Sequence, residues 1–213
     1  MPNPDSTAEE QELEALLGGD FPPESERRYA WVLTGSGHFL RESLEIALAL
    51  PGVDFFLSKA AEEVLPMYGW PVAALRDKLA GHGRVLRETN HSSVPVGLLY
   101  RGFYHTVVVG PATSNTVAKC VWGLSDTLAT NMYAQAGKCR IESIVFACDT
   151  QPVVVTDAPQ RRVVLYPRGI DLENTARLRR FEHTTVVATP DELAAAIAQR
   201  NTWLQQLSHE FSS

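Results

Sequence analysis

The chain has no apolar run near the roughly 18 residues that a membrane-spanning helix requires, so no membrane anchor is expected. It carries only three cysteines, Cys120, Cys139 and Cys148. An odd number at wide spacing argues against a disulfide framework and against the clustered ligands of zinc or iron–sulfur sites. No metal centre is expected, and any redox chemistry falls to an organic cofactor. No run of lysine or arginine exceeds two residues, and the formal net charge is −6. That leaves no basic stripe for nucleic acid, and Arg177 to Arg180 reads as a solvated helix face. The N-terminus is acidic where a secretory leader would be basic and then apolar, so a soluble cytoplasmic protein is expected.

What is present suits one α/β domain: 213 residues, 45% of them hydrophobic and 21% charged. Residues 1–26, with Glu9 to Leu17 patterned as an acidic helix before Gly18-Gly19 and Pro22-Pro23, read as an N-terminal arm. Residues 27–213 read as the single domain. Tyr29 to Leu33 and Val53 to Leu57 are short apolar runs of buried-strand type, and Thr106 to Val109 is a third. Leu40, Leu44, Ala47 and Leu48 recur at helical spacing until Pro51-Gly52. Pro71 to Ala80 is patterned as a helix, and Gly97 to Tyr100 as a short one. Arg84 to Pro95 shows turn chemistry and no period. Val117, Val121, Leu124, Leu128 and Met132 predict one long helix. Further strands are expected at Ile144 to Ala147, Val153 to Val155, Val163 to Leu165 and Thr185 to Ala188. Helices are expected from Asp171 to about Phe181 and from Pro190 onward. Strands alternating with helices predict a three-layer α/β/α, doubly wound, mostly parallel sheet of Rossmann-like form. The loops that follow its strands then share one sheet edge.

Three of those loops enter helices with small or hydroxyl residues: Thr34-Gly35-Ser36-Gly37-His38, Ser58-Lys59, and Pro111 to Thr116. Free N–H groups at a helix start suit a phosphate, and glycine permits close backbone approach. Each hydroxyl alone also reads as an ordinary N-cap. Gly35-Ser-Gly37 lacks the third glycine and the following acid of a dinucleotide fingerprint, so no separate NAD(P)H site is expected.

The segment Gly110-Pro-Ala-Thr-Ser-Asn-Thr-Val-Ala-Lys119, with Gly123-Leu-Ser-Asp126 after it, resembles the Pro-Ala-Ser-Ala-Asn-Thr motif of the homo-oligomeric flavin-containing cysteine decarboxylase superfamily. The resemblance runs from about Tyr29 to Asp149. It implies FMN as cofactor, with Gly35, Ser36, Gly37 and Ser58 on the phosphate. Thr113, Ser114, Asn115 and Thr116 would approach the ribityl chain and the isoalloxazine edge. It also implies a homo-oligomer built on trimers. The decarboxylases carry a catalytic histidine fourteen positions before the motif proline, where this chain has Gly97. That departure turns the expectation away from decarboxylation.

Cys148-Asp149, Gln151-Pro152, Val164-Leu-Tyr-Pro-Arg168 and Asp171-Leu-Glu-Asn174 resemble the archaeal-type flavoprotein branch, which includes acceptor-type dihydromethanopterin reductases. The implied activity is hydride transfer from reduced FMN to a pterin, dihydromethanopterin becoming tetrahydromethanopterin. NAD(P)H or a redox protein would supply the electrons. A flavin prenyltransferase or decarboxylase, and a non-enzymatic electron carrier, remain alternatives. Candidate proton donors are His38, His91 and Tyr100. The aromatic residues Trp31, Tyr68, Trp70, Phe103, Tyr104 and Trp122 are expected in the core or at an interface.

Overall fold

A computed structural model of the chain describes residues 11, 15, 18–23, 26–79, 81–88 and 93–210, with side chains described for all but 93, 94 and 208–210 of the last segment. Most of the expected N-terminal arm, including Glu9 to Leu17 apart from residues 11 and 15, lies outside the described residues, as does His91. Eight strands are described: β1 (Arg28–Leu33), β2 (Val53–Leu57), β3 (Val85–Arg87), β4 (Tyr104–Ala112), β5 (Glu142–Ala147), β6 (Val154–Ala158), β7 (Arg161–Leu165) and β8 (Thr184–Val187). The described helices are α1 (Leu40–Leu48), α2 (Lys59–Met67), α3 (Val72–Lys78), α4 (Ser93–Tyr100), α5 (Ser114–Trp122), α6 (Leu128–Lys138), α7 (Gly169–Leu178) and α8 (Pro190–Glu210). None is long and apolar enough to cross a membrane.

Six strands form a sheet in the order β3-β2-β1-β4-β5-β8, every neighbouring pair parallel. Because side chains alternate along a strand, each strand feeds two cores. Ala30, Val32, Phe56, Val107, Val109 and Val145 face one side, where Leu98, Val117, Leu128 and Met132 of α4, α5 and α6 cover them. Trp31, Leu33, Phe55, Leu57, Val108 and Phe146 face the other, beneath Leu44, Leu65, Leu75 and Leu193 of α1, α2, α3 and α8. The result is the doubly wound, three-layer α/β architecture that continuous apolar strands require.

Strand order decides where a ligand can sit. From β1 the chain steps outward to β2 and β3, then returns to place β4 on the opposite flank of β1. The loops after β1 and β4 therefore leave the sheet toward different helix layers, opening a crevice between them. This is the topological switch point at which such sheets bind ligands.

Three features depart from the sequence expectation. The long helix over Val117 to Met132 is two helices, α5 closing at Gly123 (φ 69°, left-handed) and α6 opening at the Thr127 N-cap. Apolar spacing carried straight across the break and concealed it. The segment after Arg84 contains β3, three residues long and too short to show a period. β6 and β7 pair antiparallel as a separate hairpin and do not join the main sheet. Trp122 is 62% exposed in the single chain, its ring beneath the Arg177 guanidinium at 4.8 Å, so of its two expected places the core is ruled out and the interface stays open, whereas Trp31 and Tyr104 are core residues.

A three-loop crevice at the sheet switch point

The Thr34–Phe39 turn follows β1 directly. A Cβ on Gly35 would lie 2.7 Å from Ala60 Cβ, and one on Gly37 would lie 2.0 Å from the Tyr68 ring. Close approach, and not a positive φ, is thus what these glycines serve. The left-handed residue is Phe39 (φ 61°), whose ring stacks on Phe146 at 5.1 Å between centroids. The backbone N–H groups of Gly35, Ser36, Gly37 and His38 find no acceptor among the described residues. Four such donors in one turn have the chemistry that suits an anion.

The second loop lies alongside it, since Gly35 abuts Ala60. Ser58 caps α2 by accepting from Ala61 N–H at 3.1 Å, which leaves the Ser58 hydroxyl proton free to donate. Lys59 N–H donates to Glu88 Oε2 at 2.9 Å, and the other oxygen of Glu88 accepts from Leu128 N–H at 2.6 Å. Glu88 therefore joins the starts of α2 and α6. Ala60 N–H, the remaining donor of that first turn, has no acceptor among the described residues.

The third loop enters α5. Thr113 is its N-cap, accepting from Thr116 N–H at 3.2 Å, with the two threonine hydroxyls 3.0 Å apart. Ser114 and Asn115 N–H point out of the helix start with no acceptor among the described residues. Gly35, Ser36, Gly37, Ser58, Thr113, Ser114, Asn115 and Thr116 are therefore all brought to one sheet edge, the first and third loops flanking the switch point.

Buried hydrogen bonds lash those two loops together. Thr34 Oγ1–H donates to Pro111 O at 2.6 Å and Thr34 Oγ1 accepts from Thr113 N–H at 3.2 Å. One residue earlier, Trp31 Nε1–H and Ser43 Oγ–H both donate to Gly110 O, at 2.8 and 2.9 Å.

The end of β5 adds a member that the sequence reading passed over. Cys148 is buried, its Sγ 3.1 Å from Ser36 Oγ and 3.8 Å from His38 O. Burial pushes its pKa up to about 12, so it stays a thiol and can only donate or accept weakly. The available signal was its position, directly after a strand end at the same sheet edge.

The candidate proton donors separate. His38 sits beside Gly37, half-buried; burial lowers its pKa, opposed by the carboxylates of Asp149 and Glu42. Tyr100 lies at the far end of α4, exposed and hydrogen-bonded to Gln135, close to where β4 begins rather than where it ends. It is remote from the crevice and leaves the candidate set. His105, in β4 near its start, is half-buried and held at a pKa of about 4, a packing residue.

The family model for Flavoprotein matches residues 22–210 of the chain. An uncharacterised protein of Methanocaldococcus jannaschii is 37% identical over 180 residues, 80% of this chain and 94% of that protein. A dihydromethanopterin reductase (acceptor) of Methanosarcina mazei is 36% identical over 144 residues, which span 62% of this chain and 59% of the relative. Among solved structures, Burkholderia xenovorans DmrB in complex with FMN, described as a cubic protein cage for redox transfer, is 59% identical with a TM-score of 0.78. The match covers 84% of this chain and 98% of DmrB. With the family model spanning the whole sheet and all three loops of the crevice, the chain belongs to the Flavoprotein family.

Proposed function

We propose that residues 27–213 form one FMN-binding domain and that the chain is an FMN-dependent oxidoreductase reducing dihydromethanopterin to tetrahydromethanopterin. The observation that carries this reading is the pairing at the switch point of two loops rich in unspent backbone donors. Its support from relatives is the FMN complex of DmrB and the activity named for the Methanosarcina protein.

The residues fit the cofactor. The turn amides from Gly35 to His38, the Ala60 amide and the hydroxyls of Ser36 and Ser58 supply donors for a dianionic phosphate. The gap left by glycine at 35 and 37 lets the backbone itself approach. Thr113, Ser114, Asn115 and Thr116 face the ribityl chain and the ring edge, where free N–H donors at the α5 start stabilise added negative charge. FMN, when bound, supplies the two-electron carrier for hydride transfer to a pterin C=N bond.

The chain's own task is to hold the pterin at the crevice and to bring one proton to the nitrogen of that bond. His38 is the candidate for it among the described residues; its burial favours the neutral ring, so proton delivery by His38 would strengthen as pH falls. His91 stays a candidate outside the described residues. Electrons enter from NAD(P)H or a redox protein, and the chain assembles with copies of itself.

An anaerobic experiment tests the function. FMN-loaded protein is reduced chemically and mixed with dihydromethanopterin. Prompt reoxidation with formation of tetrahydromethanopterin is expected. Reoxidation by other electron-carrier proteins but not by the pterin would overturn the reductase reading in favour of an electron carrier.

A further inference from the structure

We infer that Thr34 is a positioning residue whose hydroxyl couples the phosphate turn to the ring-side loop, so that the two ends of FMN bind as one event. The inference rests on the FMN reading and adds a residue that the reading does not use as a ligand.

A threonine hydroxyl has one proton to donate. In Thr34 that proton goes to Pro111 O, and Thr113 N–H donates back to the Thr34 hydroxyl oxygen. The side chain is buried, with Thr34 only 4% exposed. It cannot donate to a ligand without giving up a bond already made. Its position explains where it acts. Gly35, the first residue of the phosphate turn, follows it, and Thr113, the N-cap of the helix start facing the ring, is one of its two partners. One hydroxyl thus fixes the spacing between two donor sets carried by separate strand-to-helix loops.

Among the described residues no other direct link is made at this level. Trp31 and Ser43 hold Gly110 O deeper in the crevice, before the chain reaches Pro111. Cys148 touches the turn through Sγ, 3.1 Å from Ser36 Oγ, and its N–H donates to Ala112 O at 3.1 Å, so it reaches β4 only by way of β5 and a weak thiol contact. Thr34 alone among these joins the turn to the loop beyond Gly110.

The consequence follows from preorganisation. A ligand that spans two sites gains affinity only if their spacing already matches its length. Without the Thr34 hydroxyl, each loop keeps its own cap and its own free amides. What is lost is the fixed distance between them. FMN, which must satisfy both ends at once, weakens more than riboflavin, which lacks the phosphate and engages the ring side only.

The test compares FMN and riboflavin affinities by fluorescence titration of apo-protein, in wild type, Thr34→Val and Thr34→Ser. Valine keeps the shape and removes both hydrogen bonds; serine keeps the hydroxyl. The expected result is an FMN Kd raised about tenfold or more in Thr34→Val, as loss of two buried hydrogen bonds implies. The riboflavin Kd stays within about threefold, and Thr34→Ser restores FMN binding. If Thr34→Val is not recovered folded, Thr34→Ala, which lacks the hydroxyl and the crowding methyl, is read by the same criteria. Equal weakening of both flavins, or an unchanged FMN Kd, would overturn the coupling. Should wild type itself bind FMN no better than riboflavin, the phosphate reading fails instead, so the two failures are separable.

Discussion

Gly35→Ala should damage the crevice through one atom, and a second substitution should repair it. The new Cβ would lie 2.7 Å from Ala60 Cβ, well inside contact distance. Ala60 Cβ is fixed to the first turn of α2 and cannot swing away, so either the phosphate turn or the helix start must move. Overpacking of this kind costs about 1–3 kcal/mol. The same movement displaces the turn amides and the Ser58 cap, so FMN affinity should fall about tenfold. Ala60→Gly removes the obstructing methyl at an exposed helical position and alone should cost about 0.5–1 kcal/mol. In the double variant the next atoms, Ala60 C and Cα, stand at 3.6 and 3.7 Å, ordinary contact distances. Urea unfolding of all four proteins should therefore show the double variant more stable than Gly35→Ala, with a coupling energy of about 1 kcal/mol or more. FMN titration should show recovery in parallel. A double variant whose losses simply add would refute the claim that glycine is required at 35 by contact with α2.

Three further outcomes follow from groups away from the cofactor. Arg200 Nε–H donates to Thr106 Oγ1 at 2.9 Å, that hydroxyl lies 2.8 Å from His105 Nδ1, and burial together with the Arg200 and Arg27 charges favours the neutral ring. With a folded pKa of about 4 set mainly by burial, against about 6.5 unfolded, its contribution is intact above pH 6.5 and is lost as pH falls toward 4. Denaturant titrations at pH 7 and pH 5 should show about 2 kcal/mol more acid sensitivity in wild type than in His105→Gln, and equal sensitivity would contradict it. Asp54, fully buried, accepts from Arg28 Nη1, Arg84 N–H and Tyr104 Oη, each at 2.9 Å. Asp54→Ala should lower stability by about 3–5 kcal/mol by removing the buried acceptor shared by the Arg28 guanidinium, the Arg84 amide and the Tyr104 phenol; a loss under about 1 kcal/mol would show the network to be dispensable. Cys120 and Cys148, both pushed up to about 12 by burial, should resist alkylation at pH 8 in the native protein while the half-exposed Cys139 reacts. Mass spectrometry reads this, and labelling of Cys148 at the rate of Cys139 would place it outside the buried cluster.

The sequence made the site's backbone legible because its signals are local. A short apolar strand followed by Gly35-Ser36-Gly37, and another followed by Pro111 to Thr116, are patterns that any parallel sheet turns into helix starts. Strand order is not local, yet it is what makes those two loops the pair at the switch point. Residues acting through distant partners stayed invisible for the same reason. Thr34 meets Pro111 and Thr113, Cys148 meets Ser36, and Glu88 joins two helix starts far apart in the chain. The Gly123 break was hidden because Val121, Leu124 and Leu128 keep helical spacing through it. The β6–β7 hairpin leaves Val155 and Val164 half exposed, so its apolar residues read like those of a sheet strand without a core to receive them. Tyr100 was placed near the site by its neighbourhood in sequence; α4 carries it the length of the sheet away.

The most direct measurement is a crystal structure of the protein loaded with FMN. The account predicts the phosphate within hydrogen-bond distance of the Gly35 to His38 amides and Ser36 Oγ, and the isoalloxazine edge at the α5 start formed by Thr113 to Thr116. A phosphate bound away from the turn that follows β1, or FMN lying elsewhere than between the loops after β1 and β4, would contradict it.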